Sequence, residues 1–246
     1  MNKKLGLLGG LAAMTGAASA TTTVLVEYTG SAAVSNAPVA GVFHDGSFNS
    51  FMTGSTASAG IETLAEVGNP MPYLSSAPAG SNTGTNGAPF ASGTTASFVV
   101  TVDDTNTSFS FASMILASND WFIGNSTPVD VSGILGAGLG TTMSFDALRV
   151  YDAGTESEDF AFSAGNPFIG VPGGDAANGD TLTNPITAVT DPDPYSLFAN
   201  APGGFDSTAY DFTGGSLGSF TLTVIPEPSS ALLGMLGFIP FLRRRR

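Results

Sequence analysis

Residues 94–125 read TTASFVVTVDDTNTSFSFASMILASNDWFIGN. β-Branched, aromatic and small polar residues fill the runs TTASFVVTV and SFSFASMILAS, and the turn-forming DDTNT separates them. This pattern predicts two strands around a turn, with NDWFIGN following. Working outward, TTTVLVEYTG from Thr21 alternates as an opening strand, APVAGVFHDGSFNSF adds a strand and a polar turn, and GSFTLTVI reads as a closing strand. SAGIETLAEVG is the best helix, since Ser58 can cap it and Ile61, Leu64 and Ala65 share one face. Residues 68–93 read as an extended connection, and 163–216 as mostly loop with short strands. Many short strands, one short helix and no βαβ rhythm predict a mainly β fold, an antiparallel β-sandwich over residues 21–225.

Charge separates this body from the two ends of the chain. The 246 residues carry 7 Lys and Arg, and six of these are Lys3, Lys4 and Arg243 to Arg246. Arg149 is therefore the only cation between Thr21 and Ile225, against 19 of the 20 acids, Glu227 being the other. The net charge of that stretch is 1 − 19 = −18. Such a surface excludes nucleic-acid binding through phosphate neutralisation and disfavours anionic lipid headgroups. It favours divalent cations or salt as stabilisers. With no cysteine, disulfides, thiolate metal sites and a cysteine nucleophile are excluded.

The first twenty residues combine Lys3 and Lys4, an apolar run, and Ala18-Ser19-Ala20. This is the pattern of a secretory signal peptide over residues 1–20, with Ala18 and Ala20 at the cleavage position. Catalytic patterns are weak. Gly214-Gly215-Ser216-Leu217-Gly218 fits G-x-S-x-G, but a strand follows where a helix is needed, and the only histidine, His44, lies far upstream. A single histidine cannot build a two-histidine metal site. His44 and Trp121 are expected to be structural, and the chain is expected not to be an enzyme. Hard-cation chemistry suits the oxygen-rich loops DDTNT, SND and YDAGTESED, which carry Asp103, Asp104, Asp120, Asp152, Glu156, Glu158 and Asp159.

Four blocks, GVFHDGSFNSF, ASAGIETLAEVGN, SFASMILASNDWFIGN and LRVYDAGTESE, resemble the spondin N-terminal domain in content and order, from about Gly41 to Asn166. The resemblance implies an extracellular sandwich akin to calcium- and lipid-binding sandwiches, with a cation held at one end. Carried over residue by residue, it implies Asp120 and Asp152 as calcium ligands. A further family acid falls at Thr101, so Asp103, two residues on, or Asp104 is the expected substitute. The animal members' cysteines are missing here, and their disulfides do not carry over.

At the other end, Pro226-Glu227-Pro228, the apolar stretch Ala231 to Leu242 and four arginines resemble the PEP-CTERM sorting signal over residues 226–246. Twelve residues of helix cover about 18 Å, short of the ~30 Å hydrocarbon core, and Pro240 interrupts them. The resemblance implies transient inner-membrane association, processing by an exosortase, and a destination at the cell surface or in the extracellular matrix of a Gram-negative bacterium. The expected function is calcium-dependent adhesion, with extracellular polysaccharide or surface proteins as partners. Two other expectations stand beside it: an acidic matrix protein without a specific metal site, and an extracellular hydrolase using paired carboxylates.

Overall fold

A computed structural model of the chain describes residues 20–31, 35–116, 118, 120–156, 182–190 and 217–227. Its strands are β1 (Thr21–Gly30), β2 (Ala40–His44), β3 (Asn82–Thr85), β4 (Thr95–Asp103), β5 (Ser108–Met114), β6 (Trp121–Gly124), β7 (Val129–Asp130), β8 (Thr142–Ala147), β9 (Val150–Asp152), β10 (Thr187–Ala188) and β11 (Gly218–Val224). Two short helices, α1 (Ala59–Val67) and α2 (Met71–Ser75), fall between β2 and β3.

The strands form two antiparallel sheets. One runs β4-β1-β11-β8; the other runs β10-β9-β6-β5-β2-β3, with β7 also paired to β5. Alternation explains the first sheet, where Ala96, Phe98, Val100 and Val102 of β4 point inward while the residues between them are exposed. Val24, Val26 and Tyr28 of β1 and Phe220, Leu222 and Val224 of β11 line the same inner face. The second sheet is covered on both sides. Phe109, Phe111, Trp121, Ile123 and Val150 face the first sheet, while Val42, Ala112, Phe122 and Tyr151 pack with Ile61, Leu64, Ala65, Tyr73 and Leu74 of the helices. The molecule is thus a β-sandwich with a helical layer on its second sheet.

Phe220 lies at the middle of the inner core, its ring centroid 4.4 Å from Phe111, 4.7 Å from Tyr28 and 5.1 Å from Phe145. Fully burying a side chain of this kind contributes about 1.5–3 kcal/mol. The sheets approach closely at Gly41, where a Cβ would lie 2.8 Å from the Phe98 ring and 2.9 Å from that of Phe109.

Two expectations need correction. The stretch 68–93 is not simply extended, because α2 and β3 form within it, so there are two helices and not one. The turn DDTNT joins two sheets, since β4 belongs to the first and β5 to the second. Ser58 does cap α1, its hydroxyl accepting from Ile61 N at 3.3 Å. Among the described residues no helix is long and apolar enough to cross a membrane.

Candidate metal centre

Strands β6 and β9 pair antiparallel, with Trp121 opposite Asp152, Phe122 opposite Tyr151 and Ile123 opposite Val150. This register places Asp120, one residue before β6, beside the end of β9. The Asp120 carbonyl extends the ladder by accepting from Ala153 N at 3.1 Å. On the other side, Trp121 N donates to Ser118 Oγ at 2.8 Å, and Ile115 N donates to the Trp121 carbonyl at 2.9 Å. The approach to Asp120 is therefore fixed by hydrogen bonds from two directions.

Gly154 then turns the chain over the carboxylate. Its φ of 69° lies in the left-handed region, and a Cβ there would stand 2.8 Å from the Asn184 carbonyl oxygen. Gly154 N donates to Asp152 Oδ1 at 2.6 Å. After the turn, Thr155 N and Glu156 N donate to Asp120 Oδ2 at 2.9 and 3.1 Å, and the Thr155 hydroxyl donates to the same atom at 3.3 Å. The segment 182–190 holds this loop from outside, with Asn184 N donating to the Gly154 carbonyl at 3.0 Å and Leu182 N to that of Thr155 at 2.8 Å.

One half of Asp120 is thus served by three donors. The other half is not. Asp120 is fully buried, yet its Oδ1 accepts no hydrogen bond among the described residues, and the same holds for the buried Oε1 of Glu66 on α1. Burial raises the Asp120 carboxyl above its ordinary value against the pull of its donors. Burial, and then the charge of Asp120, push Asp152 up to about 6. Glu66 is raised by burial first, with smaller contributions from Glu62 and Asp120. Each shift records negative charge in a poorly solvated place, which is what a bound cation relieves.

The donor chemistry fits a hard cation. All the available groups are oxygens from carboxylates, a hydroxyl and carbonyls, as calcium prefers. Among the described residues no three His, Cys, Asp or Glu side chains stand close enough to hold an ion by themselves. Beyond the Asp120 and Asp152 carboxylates, the coordination would have to be completed by backbone or hydroxyl oxygens and water.

The sequence-derived set is split. Asp103 ends β4 opposite Thr21, and its Oδ2 accepts from Asn82 Nδ2 at 3.2 Å while its own N–H donates to Asn82 Oδ1 at 2.9 Å. Asp104 Oδ1 accepts from the Thr22 hydroxyl at 3.4 Å. Thr101 pairs with Thr23 in the first sheet. These positions adjoin the start of β5, whereas Asp120 adjoins its far end; seven residues of strand separate the two, about 20 Å. Asp103 is therefore not brought to Asp120 and Asp152. A same-face argument along one strand does not reveal which sheet, or which end of it, that strand serves.

Glu66 escaped the sequence reading. Its signal was an acid in the last turn of a helix, where the dipole disfavours negative charge. The remaining candidates are structural. Trp121 is 5% exposed in the core between the sheets. His44 Nδ1 accepts from Gly46 N at 3.1 Å, so Nε2 carries the proton and donates to Ser110 Oγ at 3.0 Å. That arrangement leaves no free base. Burial lowers the His44 pKa and Asp45 opposes the shift. Ser216, Ala18, Pro228, Glu158 and Asp159 lie outside the described residues; Ala20, Pro226 and Glu227 are exposed.

The fold is a two-sheet sandwich with a carboxylate pair where β6 begins and β9 ends. The chain belongs to the Spondin_N family, whose model matches residues 27–168, a stretch that includes both Asp120 and Asp152. That family is an extracellular-type domain. No curated protein is similar enough to the chain to count as a match.

Proposed function

We propose that this chain is an exported, non-enzymatic adhesion protein whose Spondin_N domain binds calcium between Asp120 and Asp152. One observation carries the reading: a fully buried carboxylate oxygen without a donor among the described residues, beside a second carboxylate, in a body whose only cation, Arg149, is exposed. Calcium would supply the positive charge that the protein does not, and would hold the loop 152–156 against β6. A partly coordinated ion keeps positions for acidic groups of extracellular polysaccharide or of surface proteins. In this reading residues 1–20 direct export, and residues 226–246 direct exosortase processing at the Pro226-Glu227-Pro228 motif, after transient association with the inner membrane. The destination is the surface or matrix of a Gram-negative bacterium.

Calorimetric titration of the full chain with calcium tests the site. One ion is expected to bind wild type, and Asp120→Ala is expected to abolish the heat while Asp103→Ala preserves it. An Asp120→Ala protein that binds calcium as wild type does would end the proposal.

A further inference from the structure

Thr155 connects the two carboxylates that retain an unpartnered oxygen. Its hydroxyl donates to Asp120 Oδ2 at 3.3 Å, and the same hydroxyl interacts with the Glu66 carboxylate. A hydroxyl has one proton and serves one acceptor at a time. Everything else around Glu66 also disfavours an anion. It occupies the last turn of α1, where the free carbonyl ends carry partial negative charge. Glu62 stands one turn earlier, and Asp120 acts on it from the sheet. That last turn holds no basic residue. Two carboxylates on different layers of the molecule, each with one buried oxygen that has no partner among the described residues, thus meet at one hydroxyl through their other oxygens.

Resting on the reading of Asp120 and Asp152 as a calcium site, we infer that Glu66 is a positioning residue of that site, acting through Thr155, and that a bound divalent ion locks helix α1 to the ends of β6 and β9. With the ion neutralising Asp120, the two backbone donors, Thr155 N and Glu156 N, suffice for Oδ2. The Thr155 hydroxyl then turns fully to Glu66. The hydrogen bond closes the gap between the helical layer and the metal loop. Ion binding is thereby felt along α1, whose buried face contacts β5 and β6. A carboxylate that orients a metal's surroundings from outside its ligands changes affinity by about 10- to 100-fold when removed.

The test combines calcium titration with amide hydrogen exchange on the full chain. Glu66→Met keeps the length of the side chain, removes a repelled charge and leaves no oxygen to accept from Thr155, so the calcium-free protein should melt no lower than wild type. It should nevertheless bind calcium at least about tenfold more weakly, and calcium should no longer slow exchange in residues 61–67, as it does in wild type. Thr155→Val should lose the same protection of α1. Glu27→Gln, on β1 of the other sheet, should leave both readouts unchanged. Wild-type calcium binding with an unaltered Glu66→Met variant would overturn this inference alone. A wild-type chain that binds no calcium would remove both it and the reading beneath it.

Discussion

Both ends of the sandwich carry carboxylates, and they are differently built. At one end Asp103 is met by the Asn82 amide, and Asn82 Oδ1 is in turn held by Asn106 Nδ2 at 2.6 Å, while Asn106 reaches the Gly80 carbonyl at 2.8 Å. Among the described residues no buried side-chain oxygen or nitrogen of Asp103, Asn82 or Asn106 lacks a partner. At the other end Asp120 receives three donors on one oxygen and, among the described residues, none on the other, and its charge adds to the burial that raises the proton affinity of Asp152 and of Glu66. Side-chain amides satisfy a carboxylate without adding charge. Backbone N–H groups satisfy only the oxygen they point at, and they leave the net charge in place. Carboxylates at the two ends are thus met by different means: side-chain amides at one, backbone N–H groups on a single oxygen at the other.

The largest effect that would sharpen this contrast is calcium itself. At about 100 times its Kd the ion should stabilise the protein by about 2.7 kcal/mol, a rise in Tm of about 5–10 °C for a domain of this size. Asp120→Asn should erase that rise and Asp103→Asn should keep it, as thermal melts at matched ionic strength would show. If both variants behave alike, the two ends do not differ in the way described.

Next comes Gly154→Ala. The positive φ and the Asn184 carbonyl 2.8 Å from the added Cβ should lower stability by about 2 kcal/mol in urea unfolding, and calcium affinity should fall with it. At the opposite end, Asn82→Ala removes three hydrogen bonds around Asp103 and should reduce stability by about 1.5 kcal/mol, leaving the calcium titration unchanged.

The smallest effect is the most diagnostic in sign. Asp152 titrates at about 6 in the folded chain, against ~3.9 unfolded. A raised folded value gives stability that is complete below the unfolded value and is lost as pH rises through the folded one. With calcium chelated, stability should therefore fall between about pH 4 and 6, by under about 1 kcal/mol after allowing for solvent screening of this partly exposed group. The wild-type minus Asp152→Asn difference should isolate that fall, and saturating calcium should abolish it.

The sequence was most legible where one face of a strand meets water. β4 and β11 announce themselves by alternation, and α1 by its cap and its apolar face. β5 was legible as a strand but not as to its neighbours, because it is buried almost throughout and lies between β2 and β6. Periodicity reports which side chains face inward; it carries no information about partners. For the same reason DDTNT read as a simple turn although it crosses from sheet to sheet. Asp120 and Asp152 were reached through block resemblance, while Asp103 was chosen by its spacing from Thr101, a local argument about a non-local meeting. Glu66 belongs to a helix that the sequence identified, yet only tertiary packing brings it to Thr155 of the loop 152–156.

The pairing of β1 with β11 has a mechanical consequence. Val24 opposes Val224, and Ile225 N donates to the Thr23 carbonyl, so the body begins and ends side by side at the pole that carries Asp103. The Asp120 pole points the opposite way. A pull between an anchor beyond Ile225 and a ligand held at Asp120 would run along the strands. β11 lies between β1 and β8, so its two rows of hydrogen bonds would bear such a load together, in shear, instead of opening one after another like a zip.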